Sequence, residues 1–212
     1  MDEQLLAAAL ARFDAGDLQG AETDLTNLLK TASGNDPLLP NLYMALTYTE
    51  SCLNRFDLAR EYGGKLLALW QGTADEAVAL HQLAVTERMA GDLAAALRYL
   101  EQEKKLLDAS GPESALRRGE NLYERGFVSL LQKDLPLAQA LLTGSLNHGQ
   151  LTGDLMLTGL SQQALGDLCM ARGDKTGALD LWRQAADAFR ALGDPVALRE
   201  AEALIRQAQG EG

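Results

Sequence analysis

The side chains that commonly carry chemistry are scarce in this chain. It has two histidines, His81 and His148, and two cysteines, Cys52 and Cys169. A zinc site on a helix sets two ligands three or four residues apart, and neither histidine has such a neighbour. No Cys-x-x-Cys pair, phosphate-binding loop, Gly-x-Ser-x-Gly elbow or dinucleotide fingerprint is found. One nucleophile–base pair exists on paper, Cys52 with His81, if adjacent structural units bring them together. No third group is evident to orient such a base, so a buried thiol and a groove-lining imidazole is the preferred reading. The acidic pairs Glu101/Glu103 and Glu200/Glu202 are spaced for opposite faces of a helix and cannot share a proton. They read as solvated surface. The expectation is a protein that is not an enzyme and needs neither metal nor cofactor.

The elements that must position these residues follow from composition. The chain has 212 residues, of which 47% are apolar, enough for one domain with a continuous core. Leu occurs 43 times and Ala 33 times, against four Val and one Ile. Leu and Ala favour helix, whereas strands need β-branched and aromatic residues, so an all-α fold is expected. With 19 basic and 30 acidic residues the net charge is −11. That field opposes phosphate backbones, so no nucleic-acid partner is expected. The longest uncharged run, Leu135 to Gly153, is broken by Pro136, Asn147 and His148 and is no membrane span. Two distant cysteines suit a reducing compartment. The first residues, Met-Asp-Glu-Gln, are acidic where a secretory leader is basic, so a cytoplasmic location is expected.

A repeat organises the chain. Five segments are alike: Gly16-Asp17-Leu18-Gln19-Gly20-Ala21, Asn54-Arg55-Phe56-Asp57-Leu58-Ala59, Gly91-Asp92-Leu93-Ala94-Ala95-Ala96, Lys133-Asp134-Leu135-Pro136-Leu137-Ala138 and Gly173-Asp174-Lys175-Thr176-Gly177-Ala178. Their closing alanines recur at intervals of 38, 37, 42 and 40 residues. Each segment lies between two stretches of helical periodicity, as Val78, Leu80, Leu83 and Ala84 before the third and Leu93, Ala96, Leu97 and Leu100 after it. Gly-Asp ends one helix and caps the next. Ser33-Gly34-Asn35-Asp36-Pro37, Gln71-Gly72-Thr73, Ser110-Gly111-Pro112 and Thr152-Gly153-Asp154 separate the units. After Gly193, Asp194-Pro195 opens an eleventh helix, whose Arg199, Glu200, Glu202 and Arg206 suit a solvated end face. Pro136 falls in a first turn, where a missing N–H costs little. Gly63-Gly64 lies inside a predicted helix, where a bend or frayed end is expected.

A small residue stands twelve positions before each closing alanine: Ala9, Thr47, Ala84, Gly126 and Gly166. In the fifth unit Leu165-Gly166, Gly173-Asp174, Ala178, Trp182 and Ala185 follow one order of small and large residues. On these residues the chain resembles the tetratricopeptide-repeat family, in its variety with units near forty residues. The resemblance implies one right-handed α-solenoid domain over 1–212. Its repeats fall at about 2–33, 38–71, 74–110, 113–151 and 154–192, with a capping helix at 194–208. Asn54 and Lys133 depart from the family's turn glycine.

The resemblance further implies that the first helix of each unit lines a concave groove for a partner. Turn counting places Leu6, Leu10 and Phe13 there in unit one and Asn41, Met44 and Tyr48 in unit two. His81, Val85 and Arg88 follow in unit three, Glu120, Tyr123, Glu124 and Phe127 in unit four, and Gln163 and Asp167 in unit five. The family's carboxylate clamp needs basic residues where this chain has Leu6, Leu10, Met44 and Tyr48. An apolar protein or peptide segment of neutral or basic character fits better, given Glu120, Glu124 and Asp167. The leading expectation is an interaction scaffold. The alternatives are a signal-peptide or small-ligand sensor serving a separate output protein, and a self-associating structural protein. Only Asp154 and Asp167 are charged between Leu135 and Leu168, and Gln139, Thr143, Asn147 and Gln150 stand where other units carry charge. Such depletion marks interface cores, so a homodimer through this stretch is a further expectation.

Overall fold

The computed structural model describes residues 2–210. Among these the chain forms eleven α-helices, one short 3-10 turn and no strand. They are α1 (Glu3–Asp14), α2 (Leu18–Thr31), α3 (Leu39–Cys52), α4 (Phe56–Trp70), α5 (Glu76–Met89), α6 (Leu93–Ala109), α7 (Ala115–Leu131), α8 (Leu135–Thr152), α9 (Leu155–Ala171), α10 (Lys175–Leu192) and α11 (Pro195–Gln209). No helix among the described residues is long and apolar enough to cross a membrane.

Aspartates start most of these helices. Asp2, Asp17, Asp134, Asp154, Asp174 and Asp194 each occupy the N-cap, their carboxylates accepting from a backbone amide two or three residues on. Asp92 accepts likewise from the Ala95 amide at 2.8 Å. The five tight turns share one geometry. The amides of Asp17, Arg55, Asp92, Asp134 and Asp174 donate back to the carbonyls of Arg12, Glu50, Glu87, Ser129 and Cys169 at 2.8–2.9 Å. This closure needs a left-handed residue one position earlier. Gly16, Gly91 and Gly173 supply it, and Asn54 and Lys133 adopt the same conformation at φ 59° and 63°. The two departures in sequence are therefore not departures in backbone. Lys133 carries the larger strain, because Asn tolerates the left-handed region and Lys does not.

Contacts divide the chain, within α6, into two compact units, residues 1–103 and 104–212. In the first, α1 to α5 pack in chain order and the odd-numbered helices α1, α3 and α5 also touch in turn. The second repeats the scheme with α7 to α11, α7 touching α9. Ala21, Ala59, Ala96, Ala138 and Ala178 all have 0% exposure, as expected of residues where paired helices meet. The residues twelve before them are buried too. At Gly166 a Cβ would lie 2.5 Å from Trp182 Nε1, and at Gly126 2.8 Å from Leu142 Cγ. Leu6, Ala9, Leu25, Leu28, Leu42 and Leu46 form one core cluster of the first unit. In the second, Ala185, Ala186, Phe189 and Ala201 hold α11 against α10, while Arg199, Glu200 and Arg206 remain exposed.

No frayed end is found at Gly63-Gly64, since α4 runs through both residues. Gly63 is buried because its missing Cβ makes room for Leu83, whereas Gly64 faces open space. Pro136 sits in the first turn of α8, as expected.

Candidate functional site

In the first unit the odd-numbered helices bring Phe13 and Tyr48 together, ring centroids 5.2 Å apart and tilted by 43°. Tyr48 is 43% exposed and Leu10 is exposed beside the same helix end, with Met44 half-buried one turn before Tyr48. Leu6 is not on this face. It is a core residue, because α2 and α3 both pack over that side of α1. On α5, His81 and Arg88 are half-buried, whereas Val85 is only 9% exposed. Val85 is therefore core rather than a pocket wall, since α5 packs against both α3 and α4.

His81 Nδ1 lies 3.1 and 3.2 Å from the two carboxylate oxygens of Glu103. Glu103 has 0% exposure, which overturns its reading as solvated surface: α6 turns this residue inward to meet the imidazole. Burial pushes the Cys52 thiol up, so it resists forming the thiolate that attack requires. Glu103 orients the His81 ring through Nδ1, and the raised thiol leaves the Cys52–His81 pair without an activated nucleophile. Both cysteines are half-buried, less enclosed than expected.

Two more buried carboxylates were not foreseen. Glu87 accepts from Arg60 through Nε at 2.9 Å and Nη2 at 2.8 Å, a bidentate tie between α5 and α4. Glu50 is fully enclosed, its oxygens lack a hydrogen-bond partner, and Arg55 Nη1 stands 3.6 Å away. Burial pushes its carboxyl up, against the pull of Arg55. The sequence did hold a signal, for Glu50 and Glu87 both lie nine residues before a closing alanine. Beside them the hydroxyls of Ser51 and Thr86 meet at 3.0 Å and link α3 to α5.

In the second unit α7 presents Tyr123 and Phe127 as a stacked pair, centroids 6.0 Å apart at 21°. Both are half-buried. Glu120 is half-buried and paired with Arg117 at 2.9 Å. Glu124 is only 5% exposed, so it is largely withdrawn from any partner. Asp167 Oδ1 accepts from Trp182 Nε1 at 3.0 Å, and the carbonyl of Gln163 shares that proton at 3.2 Å. Burial pushes the Asp167 carboxyl up, opposed by the indole bond. Asp167 thus orients the ring that fills the space left by Gly166. On α8, Leu137, Gln139, Thr143, Asn147, Gln150 and Leu151 are exposed or half-buried, and Gln139 accepts from Arg172 at 2.6 Å. Among the described residues no group of three or more His, Cys, Asp and Glu side chains is placed to hold a metal ion.

No protein-family model and no curated protein matches this sequence. Solved structures do match. The chain is similar to a thermophilic TPR protein of Thermus thermophilus at TM-score 0.71 and 20% identity, over 98% of each chain. It is similar to BtubC (BKLC) from P. vanneervenii at TM-score 0.66 and 15% identity, over 99% of this chain and 84% of that one. A third is PilW, a widely conserved type IV pilus biogenesis factor, at TM-score 0.63 and 18% identity, over 100% and 96%. These likenesses show that the chain has the all-α TPR-like fold.

Proposed function

We propose that this protein is a non-enzymatic scaffold whose odd-numbered helices hold an apolar segment of a partner protein. The observation that carries this reading is the pairing of aromatic rings on those helices. Phe13 with Tyr48, and Tyr123 with Phe127, keep part of their surface open where a folding core would close over it. Rigid aromatic anchors of this kind dominate affinity at protein interfaces. The net charge of −11 favours a neutral or basic partner, and the fold supplies precedent for such binding without choosing the partner.

The test is co-purification of tagged protein from its own host. Wild type is compared with Tyr48→Ala and with the double variant Tyr123→Ala/Phe127→Ala, alongside circular dichroism and thermal melting. Loss of the captured chain with unchanged helicity and melting supports the proposal. Retained capture refutes it, and unfolding of the variants shows the rings to be core.

One observation favours a second reading, self-association. The exposed side of α8 carries no charged residue over eighteen positions, and Leu137 and Leu151 are exposed on it. A second copy with the same net charge meets least repulsion at such a face.

A further inference from the structure

In the second unit, the last turns of α6 and the facing sides of α7 and α8 line a half-open cavity of about 130 Å³. Lys104 and Asp108 enter it from α6, Arg118, Asn121 and Arg125 from α7, and His148 from α8. Leu107 and Leu122 form its apolar wall. Three fixed cations thus converge with one carboxylate in a chain whose net charge is −11. Asp108 is already held by Lys104, which keeps its carboxyl below the ordinary range. Arg118 is committed to the carbonyls of Leu107 and Ser110 at 2.7 and 2.8 Å. Arg125 forms no close ion pair and no side-chain hydrogen bond among the described residues, although its charge adds to the pull on the Asp108 carboxyl. The His148 ring is also incompletely matched, its Nδ1 buried without a hydrogen-bond partner.

We propose that this cavity binds a small monocarboxylate, the anion paired with Arg125 and its short alkyl body against Leu107 and Leu122. The inference is independent of the partner-binding faces, which lie on other side chains. At about 130 Å³ the cavity is well below the size that takes drug-sized ligands, which restricts the occupant to a short carboxylate such as acetate or propionate. A guanidinium suits the ligand because it presents two parallel donors to a carboxylate. The leucines favour a carboxylate with a methyl or ethyl tail over an inorganic oxyanion, which would leave them facing a fully hydrated charge.

Isothermal titration of the full chain with sodium propionate, at constant ionic strength, tests this. One saturable site is expected, with the dissociation constant raised at least tenfold in Arg125→Gln and unchanged in Arg183→Gln, a surface arginine on α10. Inorganic phosphate should bind more weakly than propionate. Because the chain has only two histidines, proton NMR of wild type gives a readout that needs no variant. Propionate should move the ring signals of His148 and leave those of His81 in place. Absence of saturable binding, equal binding of phosphate, an unaffected Arg125→Gln variant, or a shift confined to His81 would each overturn the proposal.

Discussion

Adjacent glycines in one helix should respond differently to the same substitution. Gly63 and Gly64 both lie inside α4, where an alanine is favoured over glycine by about 1 kcal/mol on propensity alone. At Gly64 a Cβ meets nothing within 4 Å, so Gly64→Ala should stabilise the first unit by about that amount. At Gly63 the same atom would stand 2.6 Å from Leu83 Cδ2 and 3.1 Å from its Cγ, with Thr47 Cγ2 at 3.4 Å. Leu83 is itself buried on α5, so it cannot swing into solvent and must displace its neighbours. Overpacking of this kind costs about 1–3 kcal/mol. After the propensity gain, Gly63→Ala should be neutral to about 2 kcal/mol destabilising, leaving roughly 1–3 kcal/mol between the two variants. Urea unfolding followed by circular dichroism reads this as a midpoint raised in Gly64→Ala and unchanged or lowered in Gly63→Ala. A double-mutant cycle identifies the cause: Leu83→Ala should cost less in the Gly63→Ala background than in wild type. Equal stabilisation by both alanines, or strict additivity with Leu83→Ala, would refute the close approach of α4 to α5 on which the reasoning rests.

Lys133→Gly should raise thermal stability, by about 1 kcal/mol, because it relieves a left-handed lysine; Asn54→Gly should gain less, and the two melting curves give the comparison. The Asp167 carboxyl is raised by burial, so the folded state holds its proton more tightly than the unfolded state. The corresponding stability is present at low pH and lost as pH rises from the ordinary carboxylate range through the raised value. Asp167→Asn keeps an oxygen for Trp182 and should flatten that dependence in melts taken across the acid range, while an unchanged profile would point to another group. Thr143→Glu with Asn147→Lys should leave helicity intact and lower the sedimentation mass if α8 mediates self-association; an unchanged dimer would exclude that face.

Much of the fold was legible in the sequence because it rests on local rules. The aspartate caps, the turn closures and the five alanines depend on residues close in the chain, and the forty-residue spacing reveals them. Even the turns without glycine, at Asn54 and Lys133, could be placed by register, although the residue type of Lys133 argues against it. The direction in which each helix faces was less legible. Helical spacing says which residues share a side, but α5 is covered by both α3 and α4, so more than one of its sides is inward. That is why Val85 is core and why Glu87 could be buried against Arg60. Sequence alone puts Glu103 at the surface and Glu124 in the groove, because carboxylates are usually solvated. Only the packed helices supply the imidazole, at 3.1 Å, that makes an interior position tolerable for Glu103. The cavity beside Arg125 is likewise a product of tertiary structure: its lining comes from three helices, and no spacing along the chain signals their convergence. What a residue does with its nearest neighbours in sequence was written in this chain. Which of its charges meet, and which are drawn inside, was decided by how the helices pack.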